Sequence, residues 1–207
     1  MEMVKTLSFK PDNVISISGK RHSGKTVLAK YIVKQYVSND IKVEIFDINN
    51  EYGELKHDAI IHKFSNIKDY RAQFNQLIDN AMRIGNRVLV LDDVDIIVSQ
   101  NSMPDSLLEC IQRGRHRGIG LILIFRRVNT MHKQVIFNGE HFFIFKSKFE
   151  LDKNYLEDNL GSHVDISKLE PYEFLYLNDK DEEFTGKYDM SSDTIKQTDY
   201  SKYLVRD

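Results

Sequence analysis

A glycine-rich run near the amino terminus has the residue types and spacing that bind phosphate groups. It follows the apolar segment Val14–Ser18 and consists of Gly19, Lys20, Arg21, His22, Ser23, Gly24, Lys25 and Thr26. The glycines let backbone N–H groups turn inward around phosphate oxygens, and the start of a following helix adds further donors. Lys25 then reaches the β- and γ-phosphates, and Thr26 offers its hydroxyl to Mg²⁺. This spacing predicts a site for ATP and Mg²⁺ over the alternative of a chance glycine turn.

A strand that ends in carboxylates lies later in the chain, where Val88–Leu91 leads into Asp92 and Asp93. In phosphoryl-transfer sites, such a strand delivers an aspartate to the Mg²⁺ shell at the carboxyl edge of the sheet. We assign that role to Asp92, and we expect Asp93 to orient or deprotonate the attacking water. The competing interpretation is an acidic turn that caps a helix. The phosphate-binding run upstream favours the functional interpretation.

Two groups of arginines are candidates for stabilising charge on a transferring phosphoryl group. Arg113, Arg115 and Arg117 stand at alternate positions in a glycine-bearing loop. These residues by themselves do not decide among the three, and a solvated basic turn is the alternative. Arg126 follows the apolar run Leu121–Phe125, at a strand end that faces the γ-phosphate, and is a candidate sensor. A further polar group follows Val43–Ile48 and either touches the nucleotide or forms a turn: Asp47, Asn49, Asn50 and Glu51.

These candidates require a sheet whose strand ends meet at one edge. Apolar runs alternate with helical patterns, which predicts βαβ units and a three-layer α/β fold with a mainly parallel sheet. The predicted strands are Val14–Ser18, Val43–Ile48, Val88–Leu91, Leu121–Phe125 and Phe142–Phe145. The predicted helices are Thr26–Val37, Ile67–Ile84, Pro104–Ile111 (capped by Asn101 or Ser102) and Asp152–Leu160. Alternation in Tyr172–Leu177, a turn at Asn178-Asp179 and the segment Glu183–Thr185 predict a β-hairpin at the edge of the sheet.

Composition narrows the class of protein. The chain of 207 residues suits a single ATP-binding domain, which we place at residues 1–190, with a polar tail at 191–207. The net charge of -2 gives no global attraction to nucleic acid, so DNA contacts must come from a local patch or from repeated copies. A single cysteine, Cys110, excludes an internal disulfide framework. No signal-peptide run and no apolar run of about 18 residues occur, so we expect a soluble protein in a reducing compartment.

Taken together, these segments resemble the HerA/FtsK superfamily of DNA-pumping ATPases, and most of all the genome-packaging ATPases of tailless icosahedral viruses with an internal membrane. Gly19–Thr26 is similar to the first motif of the family and Val88–Asp93 to the second. Arg115–Leu123 is similar to its Arg-His-x-Gly-x-Gly-Leu-Ile-Leu segment, and Val164–Leu177 to its C-terminal hairpin.

The resemblance implies a RecA/FtsK-like sheet with an additional strand and a motor that drives double-stranded DNA into a capsid. It also implies self-association into a hexameric or pentameric ring, with Arg115 acting as an arginine finger on the nucleotide of a neighbour. The implied partners are capsid or virion membrane proteins at a packaging vertex, and the implied location is the host cytoplasm or the virion.

The chain departs from that family at two positions. The family usually has glutamate where this chain has Asp93, and Thr-Gln-Arg where this chain has Phe125-Arg126-Arg127. Three alternatives therefore stay open: a phage or plasmid assembly ATPase of the same superfamily that moves single-stranded DNA, a small-molecule kinase, and an ATP-binding switch that does not hydrolyse. A strand between the two motif strands argues against the kinase, and turnover stimulated by DNA would argue against the switch.

Overall fold

The chain folds around one ten-stranded sheet. A computed structural model describes residues 3–64 and 69–204. The strands are β1 (Met3–Lys5), β2 (Val14–Ser18), β3 (Val43–Asp47), β4 (Ile60–Lys63), β5 (Arg87–Leu91), β6 (Ile119–Phe125), β7 (His141–Phe145), β8 (Glu173–Asn178), β9 (Glu183–Asp189) and β10 (Thr194–Gln197). The helices are α1 (Lys25–Val37), α2 (Tyr70–Ile84), α3 (Asp105–Arg113), α4 (Lys133–Asn138) and α5 (Glu150–Leu160).

The strand order is β1-β10-β9-β8-β7-β2-β6-β5-β3-β4, which confirms the predicted fold class. Strands β7, β2, β6, β5, β3 and β4 are parallel, and β8, β9, β10 and β1 extend the sheet in antiparallel pairs. Strand β6 pairs with both β2 and β5, so an additional strand separates the two motif strands. This order argues against the kinase alternative.

Both faces of the central strands are covered, because successive side chains of a strand point to opposite faces. Val88 and Val90 of β5 pack on the α1 side, whereas Leu89 and Leu91 pack on the side of α2 and α3. Cys110 is buried in α3 on the second side, as expected for a residue that packs in a core. Continuous apolar strands are therefore buried between two helical layers.

The registers of the central strands bring three loops to one edge of the sheet. Ser18 at the end of β2 lies opposite Phe125 at the end of β6, and Leu91 at the end of β5 lies opposite Leu123. The segments that follow β2, β5 and β6 therefore leave the sheet side by side. This carboxyl edge is where open α/β sheets bind ligands.

Several elements differ from the sequence-based expectation. The predicted strands, helices and C-terminal hairpin are present with boundaries shifted by a few residues, but the predicted start of α2 at Ile67 lies outside the described residues. The prediction of Asn101 or Ser102 as the cap of α3 is wrong, because Pro104 occupies the N-cap position and Ser102 bridges to Ser99. The short elements β1, β4 and α4 were not predicted, since they are too short to show a clear period.

The segment expected to be a polar tail contains secondary structure. Thr194–Gln197 forms β10, which pairs with β9 and with β1 near the amino terminus. Buried Ile195 is the apolar side chain that anchors it, and a single apolar residue among polar ones gives little signal in the sequence. The division at residue 190 stays a prediction. Within the described ranges, no helix is long and apolar enough to cross a bilayer.

Candidate active site

The loop between β2 and α1 forms a cradle whose shape depends on two glycines. Gly24 has φ +108°, a conformation that side chains rarely adopt. A β-carbon on Gly19 would lie 2.6 Å from Cβ of Phe145 and 2.7 Å from Oγ of Ser23. The hydroxyl of Ser23 is buried and has no hydrogen-bond partner among the described residues. Such an unsatisfied group inside a phosphate-type loop is expected where a ligand supplies the missing partner.

Lys25 is the first residue of α1, and its side chain folds back over the loop. Its Nζ donates a hydrogen bond to the carbonyl oxygen of Lys20 at 3.0 Å. Burial lowers the pKa of Lys25, and the nearby carboxylates of Asp92 and Asp93 oppose that effect. The ammonium group is thus partly desolvated and faces acidic groups, a setting in which it can attract the negative charge of a phosphate.

Asp92 and Asp93 lie at the same edge but in different environments. Asp92 is 3% exposed; its Oδ1 accepts a hydrogen bond from the Asp93 N–H at 2.8 Å, and its Oδ2 is buried without a partner among the described residues. Burial, together with the charge of Asp93, raises the pKa of Asp92 to about 7. A buried carboxylate oxygen without a donor is costly unless a cation completes it.

Asp93 is held by two donors from other loops. Arg126 donates to it through Nε at 3.0 Å and through a terminal nitrogen at 2.8 Å. Asn49 donates from Nδ2 to Oδ2 at 2.8 Å. Burial alone would raise the pKa of Asp93, but these hydrogen bonds bring it below its ordinary value. The carboxylate is therefore ionised at neutral pH and fixed in orientation, with Arg126 between it and solvent.

The polar group after β3 divides into a structural member and two members of the cavity wall. Asp47 is buried and accepts hydrogen bonds from the N–H groups of Glu51 and Tyr52 at 2.9 and 3.1 Å, so it holds the turn. Asn49 and Glu51 line the cavity, and Glu51 accepts a hydrogen bond from the Thr26 hydroxyl at 2.8 Å. Both interpretations of this segment are thus correct for different residues.

The oxygen donors near the loop fit a small hard cation. Thr26 and Asp92 both line the cavity beside Glu51, and Mg²⁺ takes one or two protein oxygens while phosphates and water complete its octahedron. Among residues 3–64 and 69–204, no group of three or more His, Cys, Asp or Glu side chains forms a metal cage. Thr26 and Asp92 are therefore the residues that could hold Mg²⁺, with Glu51 near them.

These groups surround a cavity of about 660 Å³ at the carboxyl edge. Its wall contains Asp92, Asp93, Arg126 and six consecutive loop residues: Arg21, His22, Ser23, Gly24, Lys25 and Thr26. Two members of the predicted loop stand apart from the wall, because Gly19 packs on Phe145 and Lys20 turns its carbonyl to Lys25. Val27, Lys30 and Tyr172 also line the cavity, and the sequence reasoning did not assign them to it. Tyr172 in particular is distant in sequence and lies in no motif.

The arginines of the 113–117 loop are not in this cavity. They precede β6, whereas Arg126 follows it, and the seven residues of β6 at about 3.3 Å each separate the two groups by roughly 20 Å. Arg115 is 62% exposed, and its Nε lies 3.2 Å from Oδ2 of Asp12. Arg113 lies 3.6 Å from Glu109 on α3. Within one chain, Arg115 therefore cannot reach the nucleotide cavity.

Comparison with known proteins agrees with this geometry. Residues 15–145 match the model of the ATPase family associated with various cellular activities (AAA). No curated protein has a significantly similar sequence.

Solved structures with the same fold include B204, the DNA-packaging ATPase of Sulfolobus turreted icosahedral virus. It has a TM-score of 0.72 and 20% identity, and the match covers 86% of this chain and 98% of that one. The genome-packaging NTPase B204 of Sulfolobus turreted icosahedral virus 2, in complex with ATP-gammaS, has a TM-score of 0.69 and 20% identity over 93% of this chain and 100% of that one. VirB4 of Thermoanaerobacter pseudethanolicus has a TM-score of 0.69 and 11% identity over 85% and 89%.

Proposed function

Since the chain belongs to the ATPase family associated with various cellular activities, we propose that it is a ring-forming motor that uses ATP to move double-stranded DNA into a viral capsid. The observation that carries this proposal is the position of Arg115. It is exposed at the edge of the sheet opposite the cavity, so it can meet a phosphate only on a neighbouring subunit. The shared fold with viral packaging NTPases supports a viral role.

The residues of the cavity divide the chemistry among them. Lys25 leaves the carbonyl of Lys20 and binds the β- and γ-phosphates, while the N–H groups of the loop hold the phosphate oxygens. Thr26 and Asp92 hold Mg²⁺, which neutralises phosphate charge when it is bound with ATP. Asp93 orients the attacking water and accepts its proton. Its ionised, hydrogen-bonded state in the structure suits that role.

Two arginines complete the site from opposite directions. Arg126 senses the γ-phosphate within the same subunit, because it reaches into the cavity from the end of β6. Arg115 acts from the neighbouring subunit, where it stabilises the charge that develops during transfer. In the isolated chain Asp12 is the partner of Arg115. Hydrolysis in this arrangement depends on assembly of the ring.

The motor acts on DNA without reading its sequence. Contacts to phosphates suffice for translocation, so binding should be independent of sequence and weaken steeply with salt. Because the net charge of the chain is -2, attraction to DNA comes from the basic side chains that a ring repeats around its opening. We place the motor at a packaging vertex, in the host cytoplasm or on the virion, in contact with capsid or virion membrane proteins.

Steady-state ATP hydrolysis with and without double-stranded DNA is the first test. We expect DNA to stimulate turnover, and we expect Lys25→Ala to remove turnover under both conditions. Single-stranded DNA of the same length serves as the comparison. Stimulation by single strands only would replace the packaging proposal with the single-strand assembly ATPase, and turnover that ignores all DNA would contradict a DNA motor.

Mixing two inactive variants tests the role of Arg115. Arg115→Ala retains the cavity but lacks the finger, whereas Lys25→Ala retains the finger but lacks the lysine of the loop. Mixed rings contain interfaces in which an intact cavity meets an intact finger, so we expect turnover to return on mixing. Arg113→Ala is the matched control and should remain active by itself. If Arg115→Ala is fully active alone, or if mixing restores nothing, the assignment of Arg115 as a finger in trans is wrong.

A further inference from the structure

The outer wall of the nucleotide cavity carries an exposed aromatic ring. Tyr172 is 56% exposed and lines the cavity beside the phosphate loop. Its Cδ1 lies 3.4 Å from the position that a β-carbon on Gly24 would take, so the ring covers the loop where α1 begins. Nζ of Lys187 lies 5.9 Å from the centre of the same ring. A large apolar ring in this place contributes nothing to either core.

The backbone at Tyr172 is held in a conformation that aromatic residues rarely adopt. Its φ is +67°, which costs energy unless the surrounding structure enforces it. The enforcing contacts belong to buried Glu173, whose N–H donates to the carbonyl of Glu170 at 3.1 Å. Oε2 of Glu173 also accepts hydrogen bonds from the Glu170 N–H at 2.8 Å and the Tyr203 hydroxyl at 2.7 Å. The turn is therefore fixed, and it presents the ring of Tyr172 outward.

The cavity has two chemically different ends. The inner end holds Lys25, the two aspartates and Arg126, which suit phosphates and a cation. Among the described residues of the wall, the side chains that are apolar belong to Tyr172 and to Val27, which is 38% exposed. A triphosphate bound at the inner end leaves its sugar and base at the outer end. Aromatic rings next to bound nucleotides stabilise them by stacking on the flat face of the base.

We propose that Tyr172 is the base-stacking residue of the nucleotide site, with Val27 as a second apolar contact for the base. This inference deepens the proposed ATPase function and depends on it for the presence of a nucleotide in the cavity. Stacking uses a surface that every base possesses, so Tyr172 adds affinity for the base without choosing among bases. Loss of the ring should weaken binding of ATP by about 5- to 150-fold, and binding of a base-free triphosphate should not change.

Inorganic tripolyphosphate separates the two ends of the cavity, because it carries three phosphates and no base. Calorimetric titration with ATP and with tripolyphosphate should be carried out for the wild type, Tyr172→Phe and Tyr172→Asn. Asparagine tolerates positive φ, so Tyr172→Asn removes the ring while keeping the turn. We expect Tyr172→Phe to behave like the wild type and Tyr172→Asn to lose affinity for ATP alone. Phe137→Ala, which removes a ring that is 74% exposed and lies outside the cavity, is the control.

A fluorescent variant gives a direct readout of the contact. The chain contains no tryptophan, so Tyr172→Trp introduces a single reporter. Stacking of a base on its indole should quench the fluorescence on addition of ATP, whereas tripolyphosphate should leave it unchanged. Equal quenching by both ligands would show a movement of the loop instead of a stacked base, and would overturn the proposal.

The titrations distinguish failure of this inference from failure of the proposed function. Unchanged affinity of Tyr172→Asn for ATP would mean that the ring does not touch the base. Equal losses for ATP and tripolyphosphate would mean that Tyr172 only supports the phosphate loop. Either result overturns the inference while nucleotide binding stands. If the wild type binds neither ligand, the nucleotide site itself is wrong and both proposals fall.

Discussion

Replacing Arg126 by alanine should reduce the preference of the protein for ATP over ADP. Arg126 donates two hydrogen bonds to Asp93 at 3.0 and 2.8 Å, and its side chain is 51% exposed. At that exposure, solvent screening limits the ion pair to at most about 1 kcal/mol. A hydrogen bond from a guanidinium to a charged phosphate contributes about 1.5–3 kcal/mol. If Arg126 exchanges Asp93 for the γ-phosphate, the net gain is about 1–2 kcal/mol, which ADP cannot obtain.

The expected loss is therefore a factor of about 5–30 in the ratio of the dissociation constants for ADP and ATP. Titration calorimetry with ADP and with a non-hydrolysable ATP analogue measures that ratio directly. Arg126→Gln keeps a neutral donor at the position where the resembling family has glutamine, and it should lie between the wild type and Arg126→Ala. Turnover of Arg126→Ala should also fall by about tenfold or more, because stabilisation of the γ-phosphate is lost in the transition state.

Arg127→Ala is the matched control for this prediction. Arg127 is also an arginine at the end of β6, but its Nε pairs with Asp152 at 3.3 Å and not with a residue of the cavity wall. Its removal should lower stability and leave the nucleotide preference intact. An unchanged ADP-to-ATP ratio in Arg126→Ala, with turnover preserved, would refute the exchange mechanism and reduce the contact with Asp93 to a structural ion pair.

Three further predictions concern stability. Gly120→Ala would place a β-carbon 2.3 Å from the carbonyl oxygen of Pro11 and should cost about 1–3 kcal/mol in urea unfolding; Gly53→Ala, with no atom within 4 Å, should cost less than about 1 kcal/mol. Burial lowers the pKa of His141 to about 4 from 6.5. The unfolded chain therefore takes up the proton first, and stability falls as pH drops through that range. His141→Gln should remove about 2 kcal/mol of the difference in unfolding free energy between about pH 7 and about pH 4.5. Asp152→Ala removes a carboxylate that is 1% exposed and accepts bonds from three donor residues, and should cost about 2 kcal/mol; a loss below about 0.5 kcal/mol by thermal unfolding would contradict that buried role.

The sequence by itself determined the features that depend on contiguous residues. The phosphate loop needs only the spacing of Gly19, Gly24 and Lys25, because backbone N–H groups of a short segment do the binding. The strand that ends in Asp92 announced itself through a continuous apolar run. The three-layer fold followed from the alternation of such runs with helical periods, and the structure confirms it.

The tertiary structure decided which distant side chains meet. Asp93 contacts Asn49, which is 44 positions away, and Arg126, which is 33 positions away. The parallel registers of β3, β5 and β6 bring these strand ends together, and a shift of one residue would turn each side chain to the opposite face. The same registers place Arg115 at the far edge of the sheet. The fixed turn at Tyr172 puts a ring beside the phosphate loop, because contacts of Glu173 with Glu170 and Tyr203 enforce a backbone conformation that no local pattern predicts.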